Sequence, residues 1–327
     1  MFLSVIMILA MSACNSETGD FGTGSDNVWP ETVTTATGNS GGAAYYIGAT
    51  QSQILNDAIK GVYFAVEATD GGFTMNGPFV QNNPDCLGFI TLSAMQDALN
   101  GEYPELDGIK LDKMRLVMVG NATKLQFVTL KESGITSLQE LSGKRIGTAS
   151  PGSVARTATL QVLDALGYKE DDFASITAMT LSDMGDALKD GVIDVGVFNG
   201  GIPGAAVSDL NSTRDILMLE IPEDALSKVL AENPTYRTYS VTSNEYSDLT
   251  EDVIVLGLPM GLACNADMDD DLVYEITKVL NASTEELAAA HSEGADWNTE
   301  NSLAFYQDGA IPFHPGAARY YDEVLGN

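Results

Sequence analysis

The segment TATGNSGGAAYY, residues 35–46, sets Ser40 in Gly-Asn-Ser-Gly-Gly, one letter from the surroundings of a trypsin-like nucleophile. A serine of that kind needs a histidine general base earlier in the chain. The two histidines here, His291 and His314, both lie far downstream. Gly38, Ser40 and Gly42 also satisfy the Gly-x-Ser-x-Gly elbow of α/β-hydrolases. That elbow, however, follows the first strand of the chain, with no earlier strand to supply an oxyanion loop. Covalent chemistry at Ser40 is not expected. A strand that runs through glycines into a helix has another use: it leaves backbone N–H groups facing outward at the positive end of a helix dipole, where an anion can rest.

Three further corners share this design. They are TDGGFTMN (69–76), ASPGSVAR (149–156) and FNGGIP (198–203). Glycines punctuate turns everywhere, so each corner alone says little. Four of them at strand ends predict a cleft walled by amides and small polar side chains. Arg156 stands out, because a cation in the first turn of a helix opposes the dipole unless an anion accompanies it. Metal binding is not expected. An EF-hand loop opening at Asp267 would need Gly at 272 and Glu at 278, where the chain has Leu272 and Lys278. The histidines are not spaced as metal ligands, and no cofactor motif is present.

The elements that hold these corners alternate. ETVTTAT, VYFAVEAT and DCLGFITL read as strands, with helices after the first and third, and KMRLVMVG and LQFVTLK as two more strands. A short amphipathic helix in ITSLQEL follows, then strand KRIGTA and a helix from Val154 to Leu166 ending at Gly167. Strand ITAMT, helix LSDMGDALKDG and strand IDVGVFNGG complete a second α/β unit. VIVLGLPMGLACNAD is a strongly apolar run, DDDLVYEITKVLNASTEELAAAH is helical, and IPFHPGAARYYDEVLG closes the chain. This pattern predicts an α/β fold of two lobes built on sheets with crossover helices. The chain is expected to leave the first lobe near Lys131 and return near Val255, giving lobe 1 as residues 31–131 plus 256–327 and lobe 2 as 132–255. Two crossings make a hinged clamshell with the ligand between the lobes.

Composition narrows the partners. Against 46 acidic residues stand 16 basic ones, for a net charge of −30 over 327 residues. Scattered Lys and Arg exclude a nucleic-acid role. Such acidity suits a solvated surface in a salty medium, where screening shrinks to a few Å and a small anion can still approach a locally positive site. The opening MFLSVIMILAMSAC resembles a lipoprotein signal, although no Lys or Arg precedes its apolar run. It implies a signal peptide over 1–13, lipid on Cys14 and a flexible tether over 14–30. Cys86 and Cys264 could pair or remain separate buried thiols.

Taken in order, TGNSGGAAYYIGA, GGFTMN, ESGITSLQELSGKRIGTASPGS, LQVLDALGY, ALKDGVIDVGVFNGGIP, DDDLVYEITKVL and IPFHPGAARYY resemble the TAXI family, the solute-binding proteins of TRAP transporters. The resemblance spans residues 32 to 325. It implies a type II periplasmic-binding-protein fold, an extracytoplasmic location, no enzymatic activity and capture of a small carboxylate such as glutamate or 2-oxoglutarate for a TRAP permease. By motif it assigns Gly41, Gly42 and Tyr45, then Gly71, Gly72 and Asn76, to the ligand, and Ser40 in the first glycine corner stands beside them as a candidate. From the second lobe it adds Ser150, Gly152 and Ser153, with Asn199, Gly200 and Gly201. Where the family often has Gln-Ser-Asp this chain has Thr91, Leu92 and Ser93, so Thr91 joins the candidates. Where it often has Gly-Thr-Glu the chain has Val154, Ala155 and Arg156. A monomeric lipoprotein is expected. Its rival readings are a binding protein for an ABC importer or sensor kinase, an enzyme on the same scaffold, and a surface adhesin.

Overall fold

The computed structural model describes residues 29–69 and 72–327. The expected signal segment, lipidated Cys14, most of the tether, and Gly71 lie outside the described residues.

Strand β1 (Thr32–Ala36) leads into helix α1 (Ala43–Ala58), β2 (Tyr63–Glu67), α2 (Phe73–Asn82), β3 (Cys86–Thr91) and α3 (Leu92–Asn100). β1 lies between β2 and β3 and runs parallel to both. The chain then enters β4 (Met114–Leu130). The sequence reading expects two strands here, and the structure has one. The intervening Gly120–Lys124 stretch stays extended because residues 122–125 pair with a second long strand, and from residue 124 onward β4 also gains partners in the other lobe.

Beyond it come β5 (Arg145–Thr148), α4 (Val154–Ala165), β6 (Ser175–Ala178), α5 (Leu181–Lys189), β7 (Val195–Gly200) and α6 (Ala205–Asn211). Next are β8 (Ile216–Leu219), α7 (Glu223–Glu232), β9 (Arg237–Val241) and the return strand β10 (Val253–Asn265). Helices α8 (Asp270–Asn281), α9 (Thr284–Ala290), α10 (Thr299–Asp308) and α11 (Pro315–Leu325) finish the chain. The helix expected in ITSLQEL is only a 3-10 turn at Leu138–Glu140, opened by Ser137 accepting from the Gln139 N–H and soon followed by Gly143 at φ +71°. Elements α2, α6, α7, α10, α11, β8 and β9 are ones the sequence reading leaves unassigned.

The strands form one twisted sheet in the order β2-β1-β3-β10-β4-β7-β5-β6, with β8 on β4 and β9 on β10. This is a two-lobed mixed α/β architecture with two crossing strands. β4 and β10 run antiparallel through both halves. The 260–264 stretch of β10 pairs with β3, and its 253–257 stretch pairs with β9. Val117, Met118 and Val119 of β4 pack with the first-lobe cores, whereas Leu125 and Phe127 pack with those of the second. Nearly every residue of β4 is buried, as expected of a strand covered on both faces. We propose that the lobes meet inside these two strands, some residues earlier on β4 than the division at Lys131 drawn from sequence.

Cys86 and Cys264 are both free and buried. Burial, foremost, pushes the Cys86 thiol up to about 11, and it raises Cys264 further. Neither is a ready nucleophile.

Candidate functional site

Three helices point their N-termini at one space. α2 begins at Gly72, whose φ of +52° suits glycine, and no side chain caps it. α3 begins at Thr91, again with no side-chain cap. α4 begins at Ser153, whose Oγ accepts from the Arg156 N–H at 3.3 Å. None of the three has an acidic residue in its first turn. Helix starts leave up to four N–H groups without helical partners. Sequences usually place Ser, Asp or Glu there to satisfy them. Their scarcity here leaves donors and partial positive charge available.

These ends line a cavity of about 310 Å³. Gly72, Phe73, Thr74 and Thr91 come from the first lobe, with Tyr103 beyond α3. Gly152, Ser153, Val154, Ala155 and Asn199 come from the second, while Thr123 and Leu258 come from the crossing strands. The size suits a small organic molecule. Its wall carries hydroxyls, one amide and backbone N–H groups, and among the described residues no Lys, Arg, His, Asp or Glu lines it. An anion there would be held by dipoles and hydrogen bonds rather than by an ion pair.

Of the residues singled out from sequence, Gly72, Thr91, Gly152, Ser153 and Asn199 therefore line one cavity. The others do not. Ser40 and Gly41 are exposed, Gly42 N–H bonds the Asn39 carbonyl to close a turn, and Tyr45 is half-buried on α1. No histidine bonds Ser40: the Nδ1 atoms of His291 and His314 each accept a backbone N–H two residues on. Ser150 is exposed, and its carbonyl accepts from the Ser153 hydroxyl at 2.7 Å. Gly200 and Gly201 line a neighbouring cavity of about 410 Å³ beside His291 and Glu293.

Asn76 is 1 % exposed and holds the framework behind the cavity. Its Nδ2 donates to the carbonyls of Thr37 at 2.6 Å and Phe89 at 2.9 Å, and its Oδ1 accepts from the Thr69 hydroxyl at 2.8 Å. One amide thus ties α2 to the chain leaving β1, β2 and β3. Its hydrogen-bonding capacity is engaged internally, which makes it a positioning residue rather than a ligand contact. Arg156 does not line the cavity, yet its buried Nη1 has no hydrogen-bond partner among the described residues.

Sequence reasoning misses Tyr103, Thr123 and Leu258. Tyr103 packs against Phe73 with ring centres 4.7 Å apart and planes tilted by 58°, and burial, then Glu105 and Asp97, push its hydroxyl up to about 12. It thus stays a neutral hydrogen-bonding group. Thr123 and Leu258 sit mid-strand in β4 and β10 and carry no local signal.

The sequence pattern of the NMT1-like family matches residues 35–324. Among solved structures, the chain resembles a TctC solute-binding protein from Polaromonas at 15% identity and TM-score 0.53, covering 90% of this chain and 98% of that one. It resembles MatC from Rhodopseudomonas palustris, solved with bound malate, at 14% identity, TM-score 0.53 and the same coverages. The periplasmic aliphatic sulphonate binding protein SsuA from Escherichia coli matches at 17% identity and TM-score 0.50, over 90% of this chain and 79% of that one. At these identities the likeness is one of fold.

Proposed function

Because the chain belongs to the NMT1-like family, we propose that it is an extracytoplasmic solute-binding protein that closes its two lobes on a small organic anion, a carboxylate or acidic amino acid. The observation that carries this reading is the convergence of three helix N-termini, free of acidic first-turn residues, on one cavity walled by both lobes. Solutes named for proteins of the same fold, malate for MatC and aliphatic sulphonate for SsuA, are also anions. A ligand touching both walls favours the closed arrangement because only there does it gain both sets of contacts. Micromolar capture corresponds to about −8 kcal/mol. A few hydrogen bonds to a carboxylate, each worth about 1.5–3 kcal/mol, together with burial of the solute body, reach that after ordering costs.

The TAXI resemblance further supports delivery to a TRAP permease from a lipid anchor on Cys14. No bond is made or broken in this role. The test is a thermal-shift screen of the purified chain against mono- and dicarboxylates and acidic amino acids. A true ligand at a hundred times its Kd adds about 2.7 kcal/mol. If no carboxylate raises the melting temperature, the reading fails. A TRAP permease gene adjoining this one, and uptake by that permease only when this protein is present, would separate TRAP delivery from an ABC partner.

A further inference from the structure

A second chamber of about 740 Å³ adjoins the anion cavity. The two share Tyr103, Gly152 and Val154 in their walls. Among the described residues their electrostatics are opposite. The first presents helix N-termini and no carboxylate. The second is lined by Asp97, Glu102, Glu105 and Glu232, and by no Lys, Arg or His.

None of these four carboxylates takes part in an ion pair among the described residues. Asp97 is half-buried, and burial first, then Glu102, raises its pKa, as expected of a carboxylate without a counter-charge. Ser93, in the same wall, is 9 % exposed, and its Oγ meets no partner at good hydrogen-bond geometry among the described residues. It lies within reach of the Tyr236 hydroxyl, which itself donates to Gln161 Oε1 at 2.9 Å. A buried hydroxyl so poorly satisfied in a cavity wall gains from a ligand that completes it. Among the described residues no three acidic, His or Cys side chains are placed to hold a metal ion, so the chemistry that fits is an organic cation. Tyr103 and Tyr236 supply aromatic surface of the kind that favours ammonium groups.

We propose that the solute is a zwitterion. Its carboxylate rests at the N-termini of α2, α3 and α4, and its ammonium or quaternary amine reaches past Tyr103 into the chamber lined by Asp97, Glu105 and Ser93. This rests on the anion-capture reading above and narrows it: the body of the solute carries a positive charge at the end away from its carboxylate. A second anionic group would meet the four carboxylates, and an uncharged tail would leave them unpaired.

The test is calorimetric titration of the full chain with γ-aminobutyrate, ε-aminocaproate and glycine betaine, against butyrate, caproate and glutarate. At least one of the amine-bearing acids is expected to bind about tenfold or more tightly than any of the other three. Asp97→Asn and the exposed Glu105→Gln, each checked for unchanged melting, are expected to cut that preference at least about threefold while leaving butyrate or caproate affinity unaltered. Butyrate, caproate or glutarate binding as tightly as the amine-bearing acids would overturn the zwitterion and leave anion capture standing. So would variants that retain the full preference. If none of the six binds and the wider carboxylate screen is also blank, anion capture falls and the zwitterion with it. If another carboxylate in that screen binds while none of the six does, the zwitterion alone falls.

Discussion

Asn121, on the crossing strand β4, donates from Nδ2 to Glu293 Oε2 at 3.1 Å, and its Oδ1 accepts from Trp297 Nε1 at 3.0 Å. One strand residue thereby ties down the segment between α9 and α10. The Glu293 carboxylate in turn lies against Gly201 of the other lobe, where a Cβ would collide with it. The inter-lobe contact thus passes through a half-buried carboxylate at the crossing.

Burial raises the pKa of Glu293, with Lys124 and His291 opposing and Asp296 adding to the rise. The folded state therefore holds the proton more tightly than the unfolded one. That stability is fully present below the unfolded pKa and is lost as pH rises through the folded value. Glu293→Gln, which keeps the acceptor for Asn121, is expected to raise the melting temperature by about 1–3 °C at neutral pH. The gain should vanish near pH ~4, where the wild-type carboxyl is itself protonated. Calorimetry across that range checks it. A gain that is the same at both ends would be wrong for this cause.

Asn76→Ala removes the two donors that satisfy the Thr37 and Phe89 carbonyls. Leaving buried carbonyls unpaired is expected to cost about 2–4 kcal/mol. Chemical denaturation reads this directly, and a loss below about 1 kcal/mol would show that the amide is not the tie described here.

Gly152 has φ +80°, and a Cβ there would lie 2.6 Å from Glu105 Oε1 across the cleft. Gly152→Ala is expected to cost about 1 kcal/mol through backbone strain. It should also weaken binding of the best carboxylate about tenfold, because the methyl group keeps the lobes apart. Pairing it with Glu105→Ala should recover part of the affinity but little of the stability. Recovery of both in equal measure would point to the side-chain collision alone.

Ser153 and Arg156 separate capping from charge. Ser153→Ala loses the helix cap, worth about 1 kcal/mol, together with a hydroxyl in the cavity wall. Arg156→Ala is expected to leave stability within about 0.5 kcal/mol. It should lower carboxylate affinity about threefold at low salt and less at high salt, since Arg156 lies outside the cavity lining and acts at a distance. An affinity loss that ignores ionic strength would mean a direct contact.

Much of the cleft was legible. The corners GGFTMN and ASPGS stand at strand-to-helix turns, as glycine and serine chemistry predicts, and Gly72, Gly152, Ser153 and Asn199 reach the cavity. The first corner did not, although its local signal is equally good. Ser40 and Gly41 make the same kind of turn at the end of β1 but stay exposed outside that cavity. Nothing within GNSGG encodes which way its amides face. Tyr103 was illegible for the opposite reason: an aromatic in a turn after α3 reads as packing, and only its position between two chambers makes it part of the site.

The amino-acid order alone determined the alternation of strand and helix, the glycine corners and the excess of acidic residues. Each depends on periodicity or residue type within a few positions. Folding in three dimensions decided that KMRLVMVG and LQFVTLK are one strand, that the Asn76 amide is consumed by two backbone carbonyls and the Thr69 hydroxyl, and that a cavity lined by no carboxylate among the described residues adjoins an acidic chamber. Those facts depend on how β4 and β10 hold residues from distant parts of the chain in register. Hydrogen bonding across a sheet sets that register, and no local stretch of sequence carries it.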